Sequence, residues 1–131
     1  MKRKQIVRIA VYSLIVLIVL VLGTGGYVYY KVRAKFQEAV QQSEELVLRI
    51  NLKHMRAKIK QYTTDKGRPP QSLAELVDTG YLVAIPEDPI TKKREWQVNY
   101  GQPESALTTG VVDVHSWSSQ ISSEGTPYSQ W

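Results

Sequence analysis

From Ile9 to Tyr30 the sequence carries no charged residue, and Arg8 and Lys31 bound the run. No other feature limits the possible folds as strongly. At 1.5 Å per residue, a helix over this run spans roughly 33 Å, close to the hydrocarbon thickness of a bilayer. Its centre, Leu14 to Leu22, consists of Leu, Ile and Val. Tyr27, Tyr29 and Tyr30 stand at the exit end, where amphipathic rings favour the membrane interface. The pattern predicts a transmembrane helix over residues 9–30, preceded by a basic tip at 1–8. A cleaved signal peptide is the competing reading, with Lys2, Arg3 and Lys4 as its basic region and Gly23-Thr24-Gly25 as its cleavage site. The long apolar core and the aromatic-basic flank after it favour a retained anchor.

Charge supports this reading. The net charge of +5 suggests a nucleic-acid or headgroup partner, but residues 1–35 hold seven Lys/Arg and no acid. Residues 36–131 hold ten Lys/Arg against twelve Asp/Glu. The basic excess therefore flanks the apolar run, where it meets anionic headgroups, and leaves no basic face for nucleic acid. Lys2, Arg3, Lys4 and Arg8 outnumber Lys31, Arg33 and Lys35 across the span. That asymmetry predicts a single-pass protein of the cell inner membrane, with a cytoplasmic N-terminus and a periplasmic C-terminal domain. The chain has no cysteine, which removes disulfides, thiolate metal sites and cysteine nucleophiles.

Residues 31–131 are expected to form one small domain. No Pro or Gly occurs between Tyr27 and Lys66, so a helix should continue outward over 31–66. Leu48, Leu52, Met55, Ile59 and Tyr62 recur at spacings of four and three, forming one buried stripe. Arg49, Lys53, Arg56 and Lys60 are expected on the opposite, solvated face. Gly67 suits the left-handed residue after a helix, and Pro69-Pro70 blocks its resumption. Ser72 to Glu75 is a capping box opening a short helix that ends at Gly80. In the α+β region, 67–131, Trp96, Val98 and Tyr100 alternate with polar residues as a strand with one buried face. A turn region follows from Gly101 to Thr109, then a second strand, Gly110 to His115. The apolar end, Gly125 to Trp131, is expected to add a last short strand. The fold class is thus α+β, with the long N-terminal helix packed on a short helix and a small antiparallel sheet.

The chemistry is sparse. His54 and His115 lie on different elements without partners at metal-ligand spacing, and no nucleophile elbow, zinc-protease or phosphate-loop pattern occurs. The sequence offers no catalytic constellation, and the expectation is that the chain is not an enzyme.

One set of residues does match something known. Leu52-x-x-Met55-x-x-x-Ile59-x-x-Tyr62 leads into Asp65-x-Gly67-x-Pro69-x-x-x-Leu73-x-x-Leu76, then Gly80-Tyr81-Leu82 and Ile85-Pro86-x-Asp88-Pro89. With Gly110 to Ser116 and Gly125-Thr126-Pro127-Tyr128-x-x-Trp131, this resembles the major pseudopilin of the type II secretion system, the G-type pilin-like family. The resemblance covers residues 46–131. It implies a pilin ladle and a structural role in a type II secretion or type IV pilus-like machine. The implied partners are membrane lipid and other pilin-like subunits or secretion-machine proteins.

The resemblance has two departures. The family's prepilins carry Gly followed by Phe-Thr-Leu-Ile-Glu before the apolar run, whereas here Met1–Arg8 leads straight into Ile9. This favours an alternative reading, a stand-alone membrane-tethered binding module that does not polymerise. The family's last loop also commonly binds calcium, an ion that takes six to eight oxygens. Here only Glu124, with Asp113 at the loop's edge, supplies carboxylates, and these two are the candidate calcium ligands. The other reading is a metal-free loop held by packing of Trp117, Tyr128 and Trp131. No other cofactor is implied.

Overall fold

The computed structural model describes residues 2–104 and 106–131. Met1 of the basic tip and Ser105 of the expected turn region lie outside the described residues. Helix α1 spans Lys2–Lys66 and helix α2 spans Leu73–Asp78. Strands β1, Gln97–Gly101, and β2, Gly110–His115, pair antiparallel as a two-stranded sheet. The architecture is therefore the expected α+β, pilin-like layout. The chain divides into two compact units, Met1–Val40 and Gln41–Trp131.

In the first unit the apolar side chains from Ile6 to Tyr30 are exposed. α1 is long and apolar enough to cross a membrane. An uninterrupted apolar surface of this length is stable in lipid and costly in water.

The second unit is organised by α1. Leu48, Leu52, Met55, Ile59 and Tyr62 are all buried, as their spacing predicts. They pack with Leu73, Leu76, Leu82, Trp96, Val111, Val114 and Tyr128 in one core. The helix ends as expected, with Gly67 at φ 65° and its N–H on the Thr63 carbonyl. The Ser72 hydroxyl caps α2 by accepting the Glu75 N–H. The reciprocal bond differs from the standard box, because Glu75 takes the Gln71 N–H. At the other end, Gly80 at φ 79° bonds the Val77 carbonyl and Tyr81 bonds the Leu76 carbonyl. This double bond pattern is a Schellman closure.

The sheet departs from simple alternation. The register slips between Asn99 and Tyr100, so Asn99 opposes Asp113 while Tyr100 opposes Val111. Val112 is the extra residue of a β-bulge. The bulge lets Val111 and Val114, three apart, both face the core; Tyr100, although opposite Val111, is exposed rather than buried as alternation implied, with its hydroxyl on the Gln71 carbonyl.

The expected last strand is absent. Tyr128–Gln130 form a 3-10 turn, and only an isolated bridge joins Ile121 to Pro127. The outer edge of β2 is already engaged: the Val111 N–H bonds the Pro70 carbonyl, and Arg56 bonds the Val114 carbonyl. Pro127 also lacks a donor for a ladder.

Pro69 and Pro70 do more than stop the helix. Both are buried, and they run so close to Gly110 that a Cβ there would lie 2.6 Å from the Pro70 carbonyl oxygen and 2.8 Å from Pro69 Cγ. Gly110→Ala should therefore destabilise the second unit by about 1–3 kcal/mol, the cost of overpacking a tight contact. Thermal melting of the full chain in detergent checks this. Gly23→Ala, where nothing lies within 4 Å, is the neutral control.

Candidate functional site

Of the sequence's chemical candidates, the described residues bring His115 and Asp113 together and leave His54 and Glu124 apart from them. His54 is exposed on α1. His115 Nδ1 lies 2.6 Å from the Trp131 main-chain oxygen, and its Nε2 lies 3.2 Å from Asn99 Nδ2. Asp113 Oδ2 is 3.2 Å from the same Nε2. Among the described residues no group of three or more His, Cys, Asp or Glu is placed to hold a metal.

The two calcium candidates sit on separate arginines. Asp113 Oδ1 accepts from Arg56 Nε at 2.6 Å, and Glu124 Oε1 is 2.7 Å from Arg49 Nη2. Arg49 and Arg56 are seven residues apart on α1, two turns along one face. Arg56 is thus not the solvated residue its place among Arg49, Lys53 and Lys60 suggested. Its Nη2 also donates to the Val114 carbonyl at 2.8 Å and to the Trp131 main-chain oxygen at 2.7 Å. One guanidinium, presenting donors in a fixed fork, therefore ties α1 to β2 and to the last residues. The Arg49 guanidinium lies 3.8 Å from the centre of the Trp131 ring, a cation–π contact.

Glu45 is the group the sequence reading missed. It is 6% exposed and has no cationic partner among the described ion pairs. It accepts from the Ser123 N–H at 2.7 Å, the Ser123 hydroxyl, the Tyr128 hydroxyl at 2.9 Å and Gln41 Nε2 at 3.1 Å. Burial pushes this carboxyl up, but the hydrogen bonds from Ser123, Tyr128 and Gln41 outweigh it and leave the carboxyl below its ordinary value. A signal for it existed. Gln41 and Glu45 continue the stripe Leu48, Leu52, Met55 toward the N-terminus at the same spacing of four and three.

A second polar cluster closes the other end of the stripe. Glu75 Oε1 accepts from Arg68 Nη2 and from the Tyr62 hydroxyl, both at 2.6 Å. Arg68 first, then Tyr62 and the Gln71 N–H, lower the Glu75 carboxyl from 4.5 to about 2. Two shallow grooves flank Arg56 and Trp131. The larger, about 900 Å³, has Ile59, Pro103 and Val112 as apolar lining and Lys60 at its side. The smaller, about 450 Å³, adds Lys53 and Leu52. Arg49, Lys53, Arg56, Lys60 and the Trp131 indole line these grooves.

Two outcomes follow. Arg56→Gln removes the fork that joins three segments and leaves Asp113 without its cation. A loss on the order of 1–2 kcal/mol is expected, reduced by the partial exposure of both partners, and a thermal melt reads it. For Glu75 the sign is set by a lowered carboxyl. Its stabilisation is complete above the unfolded value of 4.5 and is lost as pH falls through about 2. Acid titration followed by circular dichroism should show a stability loss across that window, and Glu75→Gln should flatten it.

Comparison of the chain with family models, curated proteins and solved structures returns no match.

Proposed function

We propose that the chain is a membrane-anchored, pseudopilin-like structural component of a type II secretion or type IV pilus-like machine. The observation that carries this is the outward face of α1 in the second unit. Leu46, Val47 and Ile50 are exposed there, on the side of the helix turned away from the core. They share one helix with an apolar span whose side chains are exposed throughout the first unit. An apolar turn exposed on the outward side of α1, at Leu46, Val47 and Ile50, suits lateral packing against like helices. The motifs from Leu52 to Pro89, and the close of the chain from Gly125 to Trp131, support the same reading. Asp65, Gly67, Pro69 and the capping Ser72 each take a defined part in the turn that seats α2 on α1.

On this reading the protein resides in the inner membrane, with lipid and pilin-like subunits as its partners. The absence of native cysteine gives a clean background for a cross-linking test. The double substitutions Val16→Cys with Val47→Cys and Leu22→Cys with Val47→Cys in membrane-embedded protein, treated with a bifunctional thiol cross-linker, should give ladders of the chain beyond the dimer, because two thiols let each copy bond two neighbours. A protein that stays monomeric in both variants would sink the assembly role and favour the stand-alone tethered module.

A further inference from the structure

The loop from Ser116 to Glu124 is the segment in which the pseudopilin resemblance implies a calcium ion, and several of its oxygen atoms, with those of the adjoining Thr126, are already engaged. Calcium requires six to eight oxygens, several of them carboxylate. The main-chain oxygens of Ser118, Gln120, Ser122 and Thr126 accept the N–H groups of Ser129, Tyr128, Gly125 and Ser122. The Ser116 hydroxyl donates to buried Asp88 and accepts the Ser118 N–H, and the Ser118 hydroxyl accepts the Gln120 N–H. The Ser122 hydroxyl accepts from the Glu124 and Thr126 amides, and Thr126 Oγ1 accepts from the Trp131 indole. The two carboxylates at the loop, Asp113 and Glu124, are each paired with an arginine. The donor set does not fit calcium.

The same loop does meet a carboxylate, supplied from α1. Glu45 faces Ser123 and Tyr128, accepting from the loop's Ser123 amide and hydroxyl and from the Tyr128 hydroxyl just beyond it. The expected packing of aromatic rings explains only part of the closure: Tyr128 is buried and Trp131 packs on it at 5.2 Å, but Trp117 is 60% exposed. We infer that Glu45 closes this loop onto the helix in place of a cation, so that the C-terminal segment is ordered without metal. A cation would draw loop carboxylates inward. Here the loop turns its N–H and O–H donors inward onto an anion, which is the opposite polarity. The inference concerns a single chain and stands whether or not the chain assembles.

The test uses the full chain in detergent. Thermal melting and amide hydrogen exchange are measured with a calcium chelator and with about 10 mM Ca²⁺, above the dissociation constants of the weakest protein calcium sites. Melting temperature and protection of the Ser123 amide should be the same in both. Glu45→Leu fills the space but accepts no hydrogen bond, and it should speed exchange at Ser123 and lower the melting temperature in either condition. Ser123→Ala keeps the carboxylate and removes one donor, giving a smaller shift in the same direction should the first variant fold poorly. A calcium-dependent rise of about 4 °C or more, abolished by Asp113→Asn or Glu124→Gln, would overturn the inference. So would unchanged protection and melting in both the Glu45→Leu and the Ser123→Ala proteins.

Discussion

The second unit depends on one face of α1. A six-residue helix and a two-stranded sheet have too little area to stand alone, since isolated hairpins and short helices are marginal in water. Leu48, Leu52, Met55, Ile59 and Tyr62 supply the missing surface. Each fully buried side chain of this size contributes about 1.5–3 kcal/mol, so the stripe gives on the order of 10 kcal/mol before entropy is counted. The remaining segments are arranged to cover that face. α2 covers its C-terminal end through Leu73 and Leu76, β2 covers the middle through Val111 and Val114, and Tyr128 covers the N-terminal end.

Polar groups then decide how these segments are held in place. Covering a helix face with loops buries backbone donors that need partners. Buried and half-buried carboxylates supply them. Glu45 holds the Ser123 amide, Asp88 holds the Ile90 and Thr91 amides, and Glu75 holds the Gln71 amide. Asp88 is wholly buried and also accepts from Ser116, which joins the 88–93 turn to the start of the C-terminal loop. Arg56 works with the opposite charge, capping carbonyls where the carboxylates cap amides. The unit is therefore clamped at both ends of the stripe and once at its side.

The features legible in the sequence were the local ones. The stripe, the glycine after the helix, the capping serine and the bounds of β2 each follow from neighbours within a few residues. What escaped the sequence reading is set by contacts between distant positions. Arg56 stands in a row of cations, and only the fold brings it 57 residues away to Asp113. The bulge at Val112 and the exposure of Tyr100 are likewise hidden, because alternation within β1 shows neither a slip in its partner nor where the cover over its face stops. The last strand was inferred from apolar content, but the β2 edge it would need is taken by Pro70 and Arg56. Glu45 is intermediate: its spacing marks it as inward-facing, but its partners lie 78 and 83 residues away.

That spacing has a consequence for the helix as a whole. The inward stripe turns polar at Glu45 and Gln41, and the compact unit begins at Gln41. An apolar residue at position 45 would extend the core, but it would leave the Ser123 amide and two hydroxyls without an acceptor. The outward side shows the reverse, because Leu46, Val47 and Ile50 are apolar where solvation would favour charge. A surface helix carries one apolar stripe, toward the core, and polar residues on the opposite side. Here α1 satisfies its own unit on one face, with a polar end point, and keeps a one-turn apolar patch, Leu46, Val47 and Ile50, exposed on the other. That exposed patch is the feature for which the intramolecular packing gives no reason, and an external partner that buries it would supply one.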